Sequence, residues 1–389
     1  MRRSVKTAAA SLALVGAFGV GSIATGALSL GSPHPMEVPA PIAAKEPGAS
    51  TLAGPGLTPT PTTEASPSPT ATPSPTPTPI LTPAALTGRP VTPRDAGQHP
   101  IAVMVDDAPG ARPQSGFNAA SVVWQAPAEG GVPRYMLIFQ EQMPDDVGPV
   151  RSARYYFITW AAEWNAVYGH VGGSPQAIST LRAKGNGQLV YNADEFRWGG
   201  IYYRRITTRS SPHNVYSDAR NLRKMATRVG AENGSLTAAW KFGPDAPFER
   251  RPSGGIIRVV YPYNSIEYRY DRVTNTYLRG VSGQPKQIDA ADGKQVAPSN
   301  VVVMLMSFGP LNDGSHKHRL EAKVLGTGKA WIATNGRTIL GTWKKSSLAG
   351  PTSFYDEAGK PVTLTVGQTF IQVMPLGSNV TIKDGPLPE

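Results

Sequence analysis

In residues 86–235, short apolar runs typical of buried strands alternate with the apolar spacing typical of helices. Three helices are predicted, over residues 153–162, 175–183 and 218–229. Ser174 can cap the second helix, and Ser217 can cap the third. The alternation of strands and helices predicts an α/β domain over residues 86–235. The strand candidates are rich in Val, Ile, Tyr and Trp, and cover residues 100–106, 121–125, 134–139 and 166–171.

The pattern changes near residue 254, beyond which strands predominate. We predict a β-rich second domain over residues 250–376, followed by a tail over residues 377–389. The fold class is therefore α+β / α/β, an N-terminal α/β domain followed by a β-rich C-terminal domain. Turn-forming sequences around Asp292, Asn335 and Ala358 separate several of the strands. The predicted strands cover residues 256–263, 265–270, 276–279, 301–306, 320–325, 329–334, 338–344, 361–366 and 369–374.

The first 34 residues have the pattern of a membrane-directed segment. Arg2, Arg3 and Lys6 precede a stretch without charged residues that extends to residue 33. Its apolar part, residues 7–30, would span roughly 36 Å as a helix, which is long enough to cross a bilayer. The positive flank predicts a cytoplasmic N-terminus and an exported body. Residues 1–34 are therefore a signal peptide or an uncleaved anchor that binds the membrane, and both alternatives stay open.

Residues 35–85 are predicted to be a disordered linker rich in Pro and Thr. Proline lacks a backbone donor and has a fixed φ, so the repeated prolines exclude helix and sheet. Such a chain favours an extended polyproline conformation. We expect the body to lie on the outer face of the cytoplasmic membrane, or in the secreted or cell-wall space.

Composition narrows the possible chemistry. The chain has no cysteine, which excludes disulfides, thiolate metal sites, a cysteine nucleophile and a lipidated cysteine. Its net charge of +11 lies mostly on the folded body and favours polyanionic partners. A basic surface that only aids solubility is the alternative. Export and the lack of a recognised motif argue against a nucleic-acid partner.

Polar residues gather at the ends of the apolar runs in the first domain, where ligands of α/β sheets usually bind. An acid, Asp106 or Glu129, together with His170 or His213 could perform general acid–base catalysis. The arginines could instead bind an anion, or pair with acids as a structural network. Ser174 could be a nucleophile, but capping of a helix explains it well. The residues predicted to bind a ligand are Arg112, Arg134, Arg151, Arg154, Ser174, Arg205 and Asn214.

These motifs together resemble the YerB-like lipoprotein family, a bacterial two-domain family of unknown function. The first-domain segments that carry the resemblance are residues 100–106, 112–116, 128–134, 148–154, 170–174 and 212–214, and the second-domain segments are 300–303, 341–344 and 367–375. The resemblance implies an envelope protein but no particular reaction. The chain departs from the family pattern at Asp107, where members usually have Asn, and at Pro133, where they usually have Thr. It also lacks the cysteine on which members are often lipidated.

Two functions therefore remain open, and the sequence does not decide whether the protein is an enzyme. The preferred hypothesis is an envelope protein that binds an anionic wall polymer or peptide through a cleft rich in Arg and His. The alternative is an envelope hydrolase that uses an Asp/Glu–His pair in the same cleft. The sequence has no H-E-x-x-H spacing, and we predict neither a metal nor a cofactor.

Overall fold

The computed structural model describes Gly56 and residues 80–282 and 284–388. The predicted signal peptide or anchor, residues 1–34, and most of the linker, residues 35–85, lie outside these ranges. No helix within them is long and apolar enough to cross a membrane. The two predicted domains lie within one compact unit.

Strands predominate over helices in this unit. The α-helices among the described residues are α1 (Pro93–Ala96), α2 (Tyr155–Ala161), α3 (Pro175–Leu181), α4 (Glu195–Trp198) and α5 (Ala219–Arg228). The strands are β1 (Thr82–Pro83), β2 (Pro90–Val91), β3 (Ile101–Asp106), β4 (Val122–Pro127), β5 (Pro133–Phe139), β6 (Val167–His170), β7 (Tyr191–Asp194), β8 (Arg204–Arg205), β9 (Val215–Tyr216), β10 (Lys241–Gly243), β11 (Gly255–Val260), β12 (Ser265–Asp271), β13 (Thr276–Val281), β14 (Asn300–Met306), β15 (Phe308–Pro310), β16 (Leu320–Ala322), β17 (Gly326–Thr334), β18 (Arg337–Lys345), β19 (Ser353–Asp356), β20 (Thr363–Thr365), β21 (Thr369–Pro375) and β22 (Val380–Asp384).

A mixed ten-stranded sheet is the centre of the fold, in the order β19-β18-β17-β14-β21-β4-β5-β3-β6-β7. Its first five strands come from the second predicted domain and its last five from the first. The two sets join where β21 and β4 pair in parallel, with Thr369 opposite Val122 and Gln372 opposite Gln125. The two segments therefore share one sheet, and β4 is as deeply buried as a central strand requires.

The two faces of this sheet have different covers. Side chains alternate along a strand, so Met104 and Trp124 lie on one face while Val103 and Val123 lie on the other. The first face packs against α2, where the ring of Trp124 stacks on Trp160 with 4.6 Å between the ring centroids. The second face packs against α5 and a four-stranded sheet with the order β13-β12-β11-β22. Trp124 and Trp160 are therefore core residues.

The helix caps agree with the predicted helix starts to within one or two residues. The Ser174 hydroxyl accepts a hydrogen bond from the amide of Ala177, with Pro175 as the first residue of α3. At α5 the predicted cap was wrong by one residue, because Asp218 accepts the bond from the amide of Asn221. Ser217 instead donates its hydroxyl proton to the carbonyl of Tyr202. A carboxylate is an equally good cap and also interacts favourably with the helix dipole.

Candidate functional site

The candidate site lies where β3 and β5 meet at one end of the central sheet. Asp106 is the last residue of β3 and lies opposite Arg134, the second residue of β5. Both belong to the face whose core includes Met104 and Met136. The apolar run of β3 thus ends in a charged residue, and the apolar run of β5 begins after one. The antiparallel sheet places these two charges side by side.

Asp106 contacts an imidazole and a guanidinium that come from distant loops. Its Oδ2 lies 2.6 Å from Nδ1 of His213 and 3.0 Å from Nε of Arg151. Its Oδ1 accepts a hydrogen bond from the amide of Ala108, and the residue is 2 % exposed. Of the acid–histidine pairs that the sequence left open, Asp106 and His213 are in contact, and this contact fixes the orientation of the imidazole ring.

The ring of His213 has one nitrogen available for chemistry. Its side chain is 25 % exposed, and Nε2 has no hydrogen-bond partner within the described ranges. A Cβ placed on Gly110 would lie 3.5 Å from this nitrogen, so the lack of a side chain there leaves it uncovered. Arg209 holds the two loops together by donating to the carbonyls of Ala111 and Pro113.

A second charged cluster adjoins the first. Glu129 accepts hydrogen bonds from Arg134 at 2.6 Å and from Nε of Arg154 at 2.9 Å. Arg134 also donates to the carbonyl of Ser152. Burial alone would raise the pKa of Glu129, but the two guanidinium groups outweigh it and lower this pKa to about 2. Burial, followed by the nearby charge of Arg134, lowers the pKa of Arg154 to about 10.

Arg151 connects the two clusters. Burial lowers its pKa, Asp106 opposes this, and Arg134 and Glu129 are close enough to add smaller effects. No nitrogen of its guanidinium forms a hydrogen bond with the described residues, and Nε contacts Asp106 only as an ion pair. The combined site then has three arginines against two carboxylates, before any proton on His213 is counted. It therefore carries excess positive charge, with Arg151 and His213 about a quarter exposed.

Arg112 lies on the opposite face of the sheet. It pairs with Asp107 at 3.0 Å and also donates to the side-chain oxygen of Asn264. Asp107 is fully buried and accepts further bonds from Gln125 and Asn264, each at 2.7 Å. These contacts connect the two sequence halves and match the structural alternative for this arginine. Burial raises the pKa of Asp107, while Arg112 and the buried Arg279 oppose that effect.

The remaining predicted residues lie in other environments. His170 is fully buried and bonds the carbonyl of Gly172 and the side-chain oxygen of Asn192, each at 2.8 Å, so neither ring nitrogen is available. Ser174 acts as a helix cap. Arg205 bonds Glu195 at 2.8 Å and Asn214 at 3.2 Å. The structure therefore brings together Asp106, Glu129, Arg134, Arg151, Arg154 and His213.

Residues that the sequence did not identify complete the site. Arg209 fixes the loop that carries His213, and Gly110 leaves the ring accessible. Arg209 precedes a Ser-Ser-Pro-His sequence, and Gly110 follows Pro109. The turn-forming residues beside each predict a loop, but they do not predict a role in the site. The contact partners themselves are distant in the chain and appear only after folding.

Comparison with known proteins gives consistent matches across the folded body. The family model described as "Protein of unknown function (DUF3048) N-terminal domain" matches residues 86–232, and the model of the corresponding C-terminal domain matches residues 257–371. The chain is 31 % identical over 300 residues to the "Putative lipoprotein YerB" of Bacillus subtilis (strain 168). This alignment covers 75 % of the chain and 86 % of that protein.

A solved structure shows the same architecture. The crystal structure of YerB protein from Bacillus subtilis superposes with a TM-score of 0.68 at 29 % identity, and covers 77 % of this chain and 99 % of that one. The two-domain architecture thus matches that of YerB, with mixed sheets and few helices. The resemblance in the sequence motifs is confirmed, and the chain belongs to the DUF3048 family of YerB-like proteins, whose function is unknown.

Proposed function

We propose that the protein is an exported envelope protein that binds an anionic group at the site formed by Asp106, Arg151 and His213. The observation that supports this most directly is the guanidinium of Arg151, which is about a quarter exposed and forms no hydrogen bond with the described residues. A guanidinium fork suits the paired oxygens of a phosphate or carboxylate. The related Bacillus protein is named as a lipoprotein, which supports placement in the envelope.

The buried ion pairs define which arginines take part. Glu129 neutralises much of the charge of Arg134 and Arg154, whose side chains are about 5 % exposed. Such buried pairs are best assigned to holding the loops in place, because separating either partner would leave an unpaired buried charge. Arg151 and His213 therefore make direct contact with the ligand, and Arg134 and Arg154 add to the positive potential.

The experiment uses the full chain in mild detergent and purified cell wall at low salt. Wild type is expected to sediment with the wall, and Arg151→Gln is expected to lose most of this retention, on the order of tenfold in affinity. Arg337→Gln is the matched control, since it removes one exposed arginine that lies in another part of the chain, on β18. Equal retention of the two variants, or no retention of wild type, would reject the proposal.

Hydrolysis is the second candidate and rests on the 2.6 Å contact between Asp106 and His213. A carboxylate that holds Nδ1 of a histidine leaves Nε2 able to accept a proton from a water or hydroxyl nucleophile. Wall fragments would be assayed for new reducing ends, amino groups and phosphate. Release that disappears in His213→Asn supports catalysis, whereas wall binding without any release favours the binding function.

A further inference from the structure

A second, separate cluster of cations surrounds a cavity beside β7, the terminal strand of the central sheet. The cavity has a volume of about 470 Å³ and lies between the ends of α3 and α5, next to α4. Four of its lining side chains are cationic and one is a carboxylate. The cations are Arg182, Lys184, Arg197 and Arg228, and the carboxylate is Asp194.

These four cations are not neutralised by the protein. None of them lies within 4.0 Å of a carboxylate oxygen in the described part of the chain. Asp194 is already engaged, because its Oδ1 accepts bonds from the amides of Gly172 and Phe196. The contrast with the candidate site is clear, since Arg134 and Arg154 there share Glu129. Like charges around one cavity repel each other unless an anion enters.

Trp198 positions two of the four cations. The guanidinium of Arg197 lies 4.8 Å from its ring centroid, and that of Arg228 lies 5.7 Å from it. Such contacts attract the guanidiniums to the ring without using their N–H donors. The indole N–H of Trp198 is buried and has no acceptor among the described residues. The cavity therefore presents many donors and few free acceptors.

We propose that this cavity binds a phosphate group. A phosphate has the acceptor oxygens and the charge that the donors lack, and bidentate contact with arginine suits it. The volume exceeds that of one phosphate and leaves space for a further group bonded to it. The group could belong to a soluble phosphate compound or to a phospholipid headgroup. The exposed Phe196 lies next to Arg197 on α4 and would contact a lipid surface.

The test titrates the full chain in nonionic detergent with inorganic pyrophosphate, and separately with micelles of the same detergent that contain an anionic phospholipid. Wild type is expected to bind at least one of the two probes saturably. The double variant Arg182→Gln/Arg228→Gln should weaken that binding by tenfold or more, because each charge-assisted contact contributes strongly. Arg228→Lys keeps the charge and should retain part of the affinity.

The controls separate this cavity from general basicity and from the first site. Arg250→Gln/Arg337→Gln removes the same charge from exposed positions that do not line the cavity and should bind as wild type does. Arg151→Gln, which removes the cation of the first site, should leave a saturable component of the binding that the cavity variant removes. Binding of pyrophosphate identifies a soluble phosphate compound as the source, and binding of lipid micelles alone, reduced by Phe196→Ser, identifies a headgroup.

Three outcomes would overturn the proposal. The first is an absence of saturable binding to both probes. The second is equal weakening in the cavity variant and in its charge-matched control, since that result reports only net charge. The third is binding that Arg151→Gln abolishes and the cavity variant retains, which would place the phosphate at the first site.

Discussion

At the scale of single residues, Glu129 shows how one carboxylate keeps two buried arginines in place. Its pKa of about 2 lies below its ordinary value of 4.5 because Arg134 and Arg154 stabilise the charged form more than burial destabilises it. A carboxyl with a lowered pKa in the folded state contributes stability above its unfolded pKa. That contribution decreases as the pH falls from about 4.5 towards 2.

Glu129→Gln should therefore lower the free energy of unfolding at pH 7 by about 2 to 3 kcal/mol, a value that allows for the exposed quarter of the side chain. The difference from wild type should narrow steadily below pH 4.5. Denaturant unfolding followed by tryptophan fluorescence at several pH values measures it. Glu267→Gln removes an exposed pair with Arg269 and should cost less than about 1 kcal/mol. A pH-independent loss for Glu129→Gln would contradict the argument.

Gly110 provides a second test at this scale, for the accessibility of His213. A methyl group at residue 110 would lie 3.3 Å from Cδ2 and 3.5 Å from Nε2 of the ring. Gly110→Ala should slow the reaction of His213 with diethyl pyrocarbonate several-fold and reduce the proposed ligand binding, with little change in stability. Gly187→Ala is the control, because an added Cβ there would meet its nearest atom only at 3.5 Å. Gly359→Ala is unsuitable, because the φ of Gly359 is +75° and a side chain there would be strained. An unchanged reaction rate would show that Gly110 does not control access.

Only part of the site was visible in the sequence. The strand ends carried a clear signal, since Asp106 and Arg134 follow or begin apolar runs. The choice of His213 over His170 carried none. Both lie in segments rich in Gly or Pro, and only the fold shows that His170 is enclosed with both ring nitrogens bonded. Pairing between residues more than a hundred positions apart depends on tertiary structure that no local pattern encodes.

At the scale of elements, most predicted strands and helices are observed near their predicted positions, whereas β1 and β22 form where a linker and a tail were predicted. The predicted strand 301–306 is observed as Asn300–Met306, and the predicted helix 153–162 as Tyr155–Ala161. Apolar runs and cap residues act locally, which explains this agreement. The strand order was not predictable in the same way, because β21 lies between β14 and β4 as a consequence of contacts across the whole chain.

Ser174 gives the prediction at the element scale. Its hydroxyl oxygen accepts a hydrogen bond from the amide of Ala177 at the start of α3. The residue is 1 % exposed. Ser174→Ala should cost about 1 kcal/mol of stability through the lost cap. Ser174→Gly should cost only about a few tenths of a kcal/mol, because glycine is also tolerated as an N-cap. Wall binding and any hydrolysis should persist in Ser174→Ala, and their complete loss in a folded variant would revive the nucleophile hypothesis.

At the scale of the whole molecule, a buried ion pair joins the two sequence halves on the helix-covered face of the sheet. Nζ of Lys345, in β18, lies 2.9 Å from the carboxylate of Glu163, next to α2, and both side chains are fully buried. The same carboxylate accepts the amide and hydroxyl of Thr352. Burial raises the pKa of Glu163, and Lys345 opposes this effect. Each charge therefore depends on a partner from the other half.

Lys345→Met removes the cation and leaves the carboxylate buried without its partner. The free energy of unfolding at pH 7 should fall by about 3 to 5 kcal/mol. Without Lys345 the folded-state pKa of Glu163 rises further above its unfolded value, so the variant should lose stability as the pH rises above about 4.5. Lys345→Met/Glu163→Gln keeps an acceptor for Thr352 without the charge. It should regain much of the lost free energy of unfolding, and the decrease in stability above about pH 4.5 should disappear. If the double variant is no more stable than the single one, lost packing of Lys345 rather than the unpaired carboxylate is the cause. Denaturant unfolding of wild type and both variants between pH 4 and 8 distinguishes these explanations.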